Sequence, residues 1–239
     1  MDQVCAHFDV DVEGRFEFLR KEETNCANFV SDILRTEFEN CDISLLNCGT
    51  LRSNAVIPKG DFTLRMLQDL LPMPDKVVLL RVPGDVVKQL LENSVSQWPA
   101  LDGRFAAFSG LQLSFDPDQP AGQRVHTVKT ADGSEDLDLS PMATYTLSVK
   151  YFIALGKDGY TAFNDPRVEW LSDPDAAMSI LDIVTNSLER FSSNYQIVEK
   201  LEARRQKRLA MFKTSDSDRS SKGFIKLRPQ IDGRIKRVA

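Results

Sequence analysis

Apolar residues recur at helical spacing in several stretches of this chain, and short apolar runs closed by turn residues lie between them. Behind Glu23-Thr24-Asn25, the residues Cys26, Phe29, Val30, Ile33, Leu34 and Phe38 fall on one helical face, with Thr24 or Asn25 as cap. Residues 62–71 predict a second helix, stopped by Pro72-Met73-Pro74. Pro83-Gly84-Asp85 opens a third, with Val86, Val87, Leu90, Leu91 and Val95 on one side. Asp173-Pro174 opens a fourth, whose core face is Met178, Leu181, Val184, Leu188 and Phe191. Strands are expected over 15–20, where charged and apolar residues alternate, and over 42–47, 76–82, 110–116, 125–129 and 144–152. Shorter ones are expected near 167–171 and 224–227.

Helices alternate with strands over residues 15–195, which predicts one mixed α/β (α+β) domain with a mixed sheet flanked by helices. The expected organisation is an N-terminal tail over 1–10, the domain over 11–199, a basic helix extension and flexible loop over 200–223, and a strand and tail over 224–239.

Composition and charge narrow the function classes. Of 239 residues, 42% are hydrophobic and 27% charged, enough apolar material for a buried core. The formal net charge of -5 argues against nucleic acid as a partner of the whole chain. That charge is uneven: residues 196–239 hold 13 basic and 5 acidic residues, leaving 17 basic and 30 acidic before them. The run Arg204-Arg205-Gln206-Lys207-Arg208 suits an acidic partner surface, and suits equally a solvated helix lying on the acidic body. Cys5, Cys26, Cys41 and Cys48 form no CxxC pair and read as reduced thiols. The first residues have neither a basic start nor an apolar run, so no signal peptide is expected and the chain as written reads as cytoplasmic. No stretch approaches the ~20 apolar residues of a membrane span.

Candidate chemistry is of the recognition kind. The two histidines, His7 and His126, stand far apart and are expected to be exposed, His7 in a frayed terminus. They do not make the ligand set of a metal phosphoesterase. No Walker loop, GxSxG or GxGxxG is present. In Asn47-Cys48-Gly49-Thr50-Leu51-Arg52 a strand ends in a turn. Gly49 would let backbone amides approach a ligand, Asn47 offers a donor and an acceptor, and Arg52 offers a fork for phosphate. A plain strand-exit turn with a surface arginine fits the same residues. Gly156-Lys157-Asp158-Gly159-Tyr160 presents an aromatic ring that could stack on a base, or a core tyrosine after a turn. Asp165 precedes Pro166, where turn formation alone accounts for it.

Taken in order, these segments resemble the C-terminal domain of the 5′-nucleotidase family, from about Asp11 to Phe191 with an echo over Arg228–Ile235. The resemblance rests on Glu23-x-Asn25-x-x-Asn28, on Asn47-Cys48-Gly49-Thr50-Leu51-Arg52, on Leu71-Pro72-Met73, on Ser109-Gly110 and on Gly156-Lys157-Asp158-Gly159-Tyr160. It implies a substrate-specificity domain that holds a nucleoside monophosphate or related nucleotide. The site residues it implies are Asn47, Gly49 and Arg52 in the first loop, Tyr160 stacking on the base, and Asp165 on the nucleoside. Met73 stands where relatives carry the second stacking aromatic. The family's divalent metals belong to a separate metallophosphoesterase domain, here expected in cis or in trans. Its Asp-x-His and Gly-Asn-His motifs do not occur, so no cofactor and no catalytic residue are expected in this chain. The alternative expectation is an interaction module working through the basic C-terminal helix.

Overall fold

Thr24 accepts a hydrogen bond from the amide of Ala27 and starts a helix over Asn25–Glu37, the first stripe read from the sequence. It is one element of a computed structural model that describes residues 3–193, 224 and 226–238. The elements in chain order are β1 (Val4–Phe8), β2 (Val12–Glu13), α1 (Phe16–Leu19), α2 (Asn25–Glu37), β3 (Ile43–Asn47), β4 (Val56–Ile57), β5 (Gly60–Thr63), α3 (Leu64–Leu70), β6 (Val77–Pro83), α4 (Gly84–Val95), β7 (Ala106–Ser109), β8 (Leu111–Phe115), β9 (Val125–Thr130), β10 (Thr144–Lys150), α5 (Tyr151–Ala154), β11 (Glu169–Trp170), α6 (Ile180–Ser193), β12 (Lys226–Leu227) and β13 (Ile235–Arg237). The expected basic helix extension and loop over 200–223 lie outside the described residues.

A five-stranded mixed sheet, in the order β11-β6-β10-β3-β7, is the frame of the molecule. Strands β3 and β10 run parallel, and β6, β7 and β11 are each antiparallel to their neighbours. Every residue of β3 is buried, so both faces of the sheet are covered at that strand. Helix α2 packs on β3, β7 and α6, and α4 packs on β6 and β9. Two three-stranded sheets, β12-β1-β5 and β13-β8-β9, and the ribbon β2-β4 complete the architecture.

Several elements differ from the sequence expectation for local physical reasons. Residues 15–20 form a helical turn, not a strand. The Arg15 guanidinium lies 4.5 Å from the Phe18 ring centroid and that of Arg20 lies 4.1 Å from Phe16, the i,i+3 and i,i+4 spacings of a helix. The second helix starts at Leu64 because Thr63 caps it through the Met66 amide, leaving Phe62 in a strand. The fourth starts at Ile180, so Met178 is exposed, whereas Ile180, Ile183, Val184, Leu188 and Phe191 enter the core. Residues 4–8, expected in a tail, form the middle strand of a sheet. His7, expected to be frayed, lies in it with Nδ1 3.1 Å from Asp61 Oδ1, and His126 is exposed.

The Glu23-x-Asn25-x-x-Asn28 motif fastens the chain ends to this frame. Asn25 accepts from the Glu13 amide and donates to the Asp11 carbonyl. Asn28 donates to Glu23 and to the Gln230 carbonyl, while the Glu23 carboxylate accepts from the amides of Asp232 and Ile235. Beside them Arg234 makes a bidentate pair with Asp32, both almost fully buried, and Ser109 donates to the same carboxylate.

Candidate nucleotide-binding cleft

The parallel pairing of β3 with β10 brings their carboxyl ends to one edge of the sheet, where α/β folds gather ligands. The antiparallel neighbours begin at that edge. Val77 at the start of β6 pairs with Lys150, and Ala106 at the start of β7 pairs with Asn47. Four connections therefore meet there: the turn after β3, the Met73–Asp75 segment before β6, the Asp102–Arg104 segment before β7, and the chain after β10. Between them lies a cleft of about 370 Å³, within the ~300–1,000 Å³ common for small-molecule sites. Arg20, from the end of α1, joins the lining.

Asn47, Gly49, Arg52 and Met73, all named from the sequence, line this cleft. Four of the turn's amides are already engaged, however. The N–H groups of Cys48, Gly49, Leu51 and Arg52 donate to the carbonyls of Phe105, Gly103, Cys48 and Leu70. Gly49 is required because its backbone presses on Gly103: a Cβ there would sit 3.0 Å from the Gly103 Cα. Asn47 is 2% exposed, accepts from the Thr50 hydroxyl and donates to Asp158 Oδ2 at 3.0 Å. It ties the first loop to the second. Arg52 is exposed at the end of this turn and lines the cleft.

Tyr160 and Asp165 are not brought to the cleft. Tyr160 is fully buried, donates its hydroxyl to the Arg104 carbonyl at 2.6 Å and packs on Phe163. Burial holds its phenol proton well above the ordinary range. No face of that ring is available to a base, and the tyrosine expected to stack is a core anchor. Asp165 accepts from the amide and guanidinium of Arg167, and Arg167 bridges on to Asp85 at the start of α4. Those hydrogen bonds hold the Asp165 carboxyl down at about 2, and its work is to brace a surface turn.

The aromatic ring that does reach the cleft is Phe152. The sequence places it in a strand, but β10 ends at Lys150, and the turn α5 rotates Phe152 outward while burying Ile153 and Ala154. Asp158 also lines the cleft, at φ 53, with Asn93 donating to its carbonyl. Gly159 has φ +78, and a Cβ there would meet Asn93 Oδ1 at 2.6 Å.

Arg20 completes the cationic side. It donates to the Leu101 carbonyl, and its Nε is buried with no protein partner. Burial, and after it the neighbouring Arg52 charge, make its guanidinium easier to deprotonate than usual. Arg20 and Arg52 thus line one cleft together. The sequence analysis did not single out Arg20, which caps the helical turn at 16–19 where a strand was expected.

Comparison with known proteins gives the family. The family described as 5′-nucleotidase, C-terminal domain, matches residues 4–165. The chain belongs to this family. It is 27% identical over 168 residues to the trifunctional nucleotide phosphoesterase protein YfkN of Bacillus subtilis, covering 69% of this chain and 11% of that protein. It is 25% identical over 162 residues to the NAD 5′-nucleotidase of Haemophilus influenzae, covering 63% of this chain and 26% of that protein. The crystal structure of a 5′-nucleotidase precursor from Thermus thermophilus superposes with a TM-score of 0.77 at 28% identity, covering 100% of this chain and 40% of that one. This chain therefore spans well under half the length of these relatives. The family is associated with metallophosphoesterases. Among the described residues no group of three or more His, Cys, Asp or Glu could hold a metal ion, and no helix is long and apolar enough to cross a membrane.

Proposed function

We propose that the cleft seats a nucleotide and that the chain is the substrate-specificity domain of a 5′-nucleotidase-type phosphohydrolase, acting in nucleotide catabolism. The observation that carries this reading is the convergence of Phe152, Met73, Arg20 and Arg52 on one cleft. Phe152 and Met73 are its exposed apolar side chains, at 43% and 53%. A ring and a polarisable thioether suit the two faces of a base. The guanidiniums suit the phosphate, and Asp158 the polar nucleoside part.

The metal-binding half is a metallophosphoesterase domain, in cis or in trans, which would supply the divalent ions and the activated water. The cleft's own carboxylates do not fit that task. Asp75 pairs with Lys150, Asp102 with Arg104, and Asp158 with Asn47. This chain's residues bind the nucleotide, orient it and offset its charge. Calorimetric titration with nucleoside monophosphates tests the reading. Phe152→Ala should weaken binding about 5- to 150-fold, the range of one lost base–aromatic stack. Binding that survives loss of both Phe152 and Arg52 would remove the basis of the assignment.

A further inference from the structure

The cleft carries one charged pair that neither a base stack nor a phosphate requires. Lys150 Nζ lies 2.6 Å from Asp75 Oδ2, with the two side chains 10% and 17% exposed. Both line the cleft. Asp75 follows Met73 by two residues, and Lys150 precedes Phe152 by two, so the segments that carry the apolar walls also carry the two charges. Lys150 Nζ is 5.1 Å from the Phe152 ring centroid. Asp75 Oδ2 is buried without a hydrogen-bond partner; the Lys150 ammonium 2.6 Å away answers its charge, and that ammonium has N–H groups to spare. Withdrawing such a pair from water is costly unless further hydrogen bonds complete it.

The edge of a base lying between Met73 and Phe152 would meet a carboxylate beside an ammonium. A guanine edge offers two adjacent donors, N1–H and the 2-amino group, next to the acceptor O6. Adenine offers one donor and one acceptor, and hypoxanthine lacks the 2-amino donor. We propose that this cleft selects guanine nucleotides, with Asp75 accepting from N1–H and the 2-amino group and Lys150 donating to O6. The inference rests on the base-seat reading above and adds the base.

Calorimetric titration of the full chain with GMP, IMP and AMP tests it. GMP should bind about 10-fold or more tightly than AMP, the scale of one well-made bidentate contact to a base edge, and about 10-fold or more tightly than IMP, the scale of one hydrogen bond to a charged group. The comparison of GMP with IMP needs no variant and isolates the 2-amino contact. Asp75→Asn, checked for folding by circular dichroism, should lower the ratio of GMP to AMP affinity about 10-fold, because the amide keeps the shape and loses one acceptor. Equal affinity of the wild-type chain for all three nucleotides overturns the guanine assignment and leaves the base seat standing. So does an Asp75→Asn chain that loses all three in parallel. A folded chain that binds none of them overturns both.

Discussion

Most phenylalanines of the described chain are sealed in the core; Phe8, Phe29, Phe62, Phe105, Phe108, Phe115, Phe163 and Phe191 are each at most 5% exposed. Phe152 is 43% exposed, at a cleft it shares with two arginines and a methionine. An exposed ring forgoes the roughly 1.5–3 kcal/mol that full burial would contribute, a cost that the proposed base stack would offset. Tyr160 is the opposite case. Replacing it by Phe should cost about 1–3 kcal/mol, the penalty for leaving the Arg104 carbonyl without its donor, with nucleotide affinity unchanged. Urea unfolding beside calorimetry separates the two effects. The sequence showed an aromatic after a glycine turn and an aromatic in a strand. It could not show which one faces the cleft, because that depends on α5 turning the chain within four residues.

The elements divide into those that hold the cleft and those that hold the ends. The stripe from Cys26 to Leu34, the α4 stripe and the apolar run of β3 were legible because burial on one face or both dictates their periodicity. The helical turn over 16–19 was not. Its alternation mimics a strand, whereas the packing of two arginines onto Phe16 and Phe18 and the burial of Leu19 favour the turn. Nor was the fastening of the C-terminal segment, which rests on contacts across some two hundred residues, such as Arg234 with Asp32. Breaking one side of that buried pair leaves the other charge uncompensated. Arg234→Ala should therefore lower unfolding free energy by about 3–5 kcal/mol, read as a lower urea midpoint at unchanged slope. A change within 0.5 kcal/mol, the range of an ordinary surface substitution, would mean that the pair does not fasten β13.

At the scale of the whole molecule, the cleft lies where four sheet connections meet, and the family match and the superposed crystal structure agree on the frame that places it. The order of motifs along the chain carried that frame in advance, since a domain's turns keep their sequence order. What the order could not carry was the depth of each turn, and so Asn47 and Gly49 prove to be consumed largely in holding loops together. The described residues assemble no metal site. On the proposed division of labour with a metallophosphoesterase domain, this chain by itself should bind nucleotide yet release no phosphate when Mn²⁺ or Zn²⁺ is added. Release that scales with this chain alone would place catalysis within it.

The central claim is that a base lies against Phe152 and Met73. Methyl-labelled methionine NMR reads it at one atom. As nucleoside monophosphate is added, the Met73 methyl should move upfield under the ring current of the base, while Met142, 90% exposed and not part of the cleft lining, stays still. A Met73 signal that does not move at saturating nucleotide, or one that moves no more than Met142, would contradict the account.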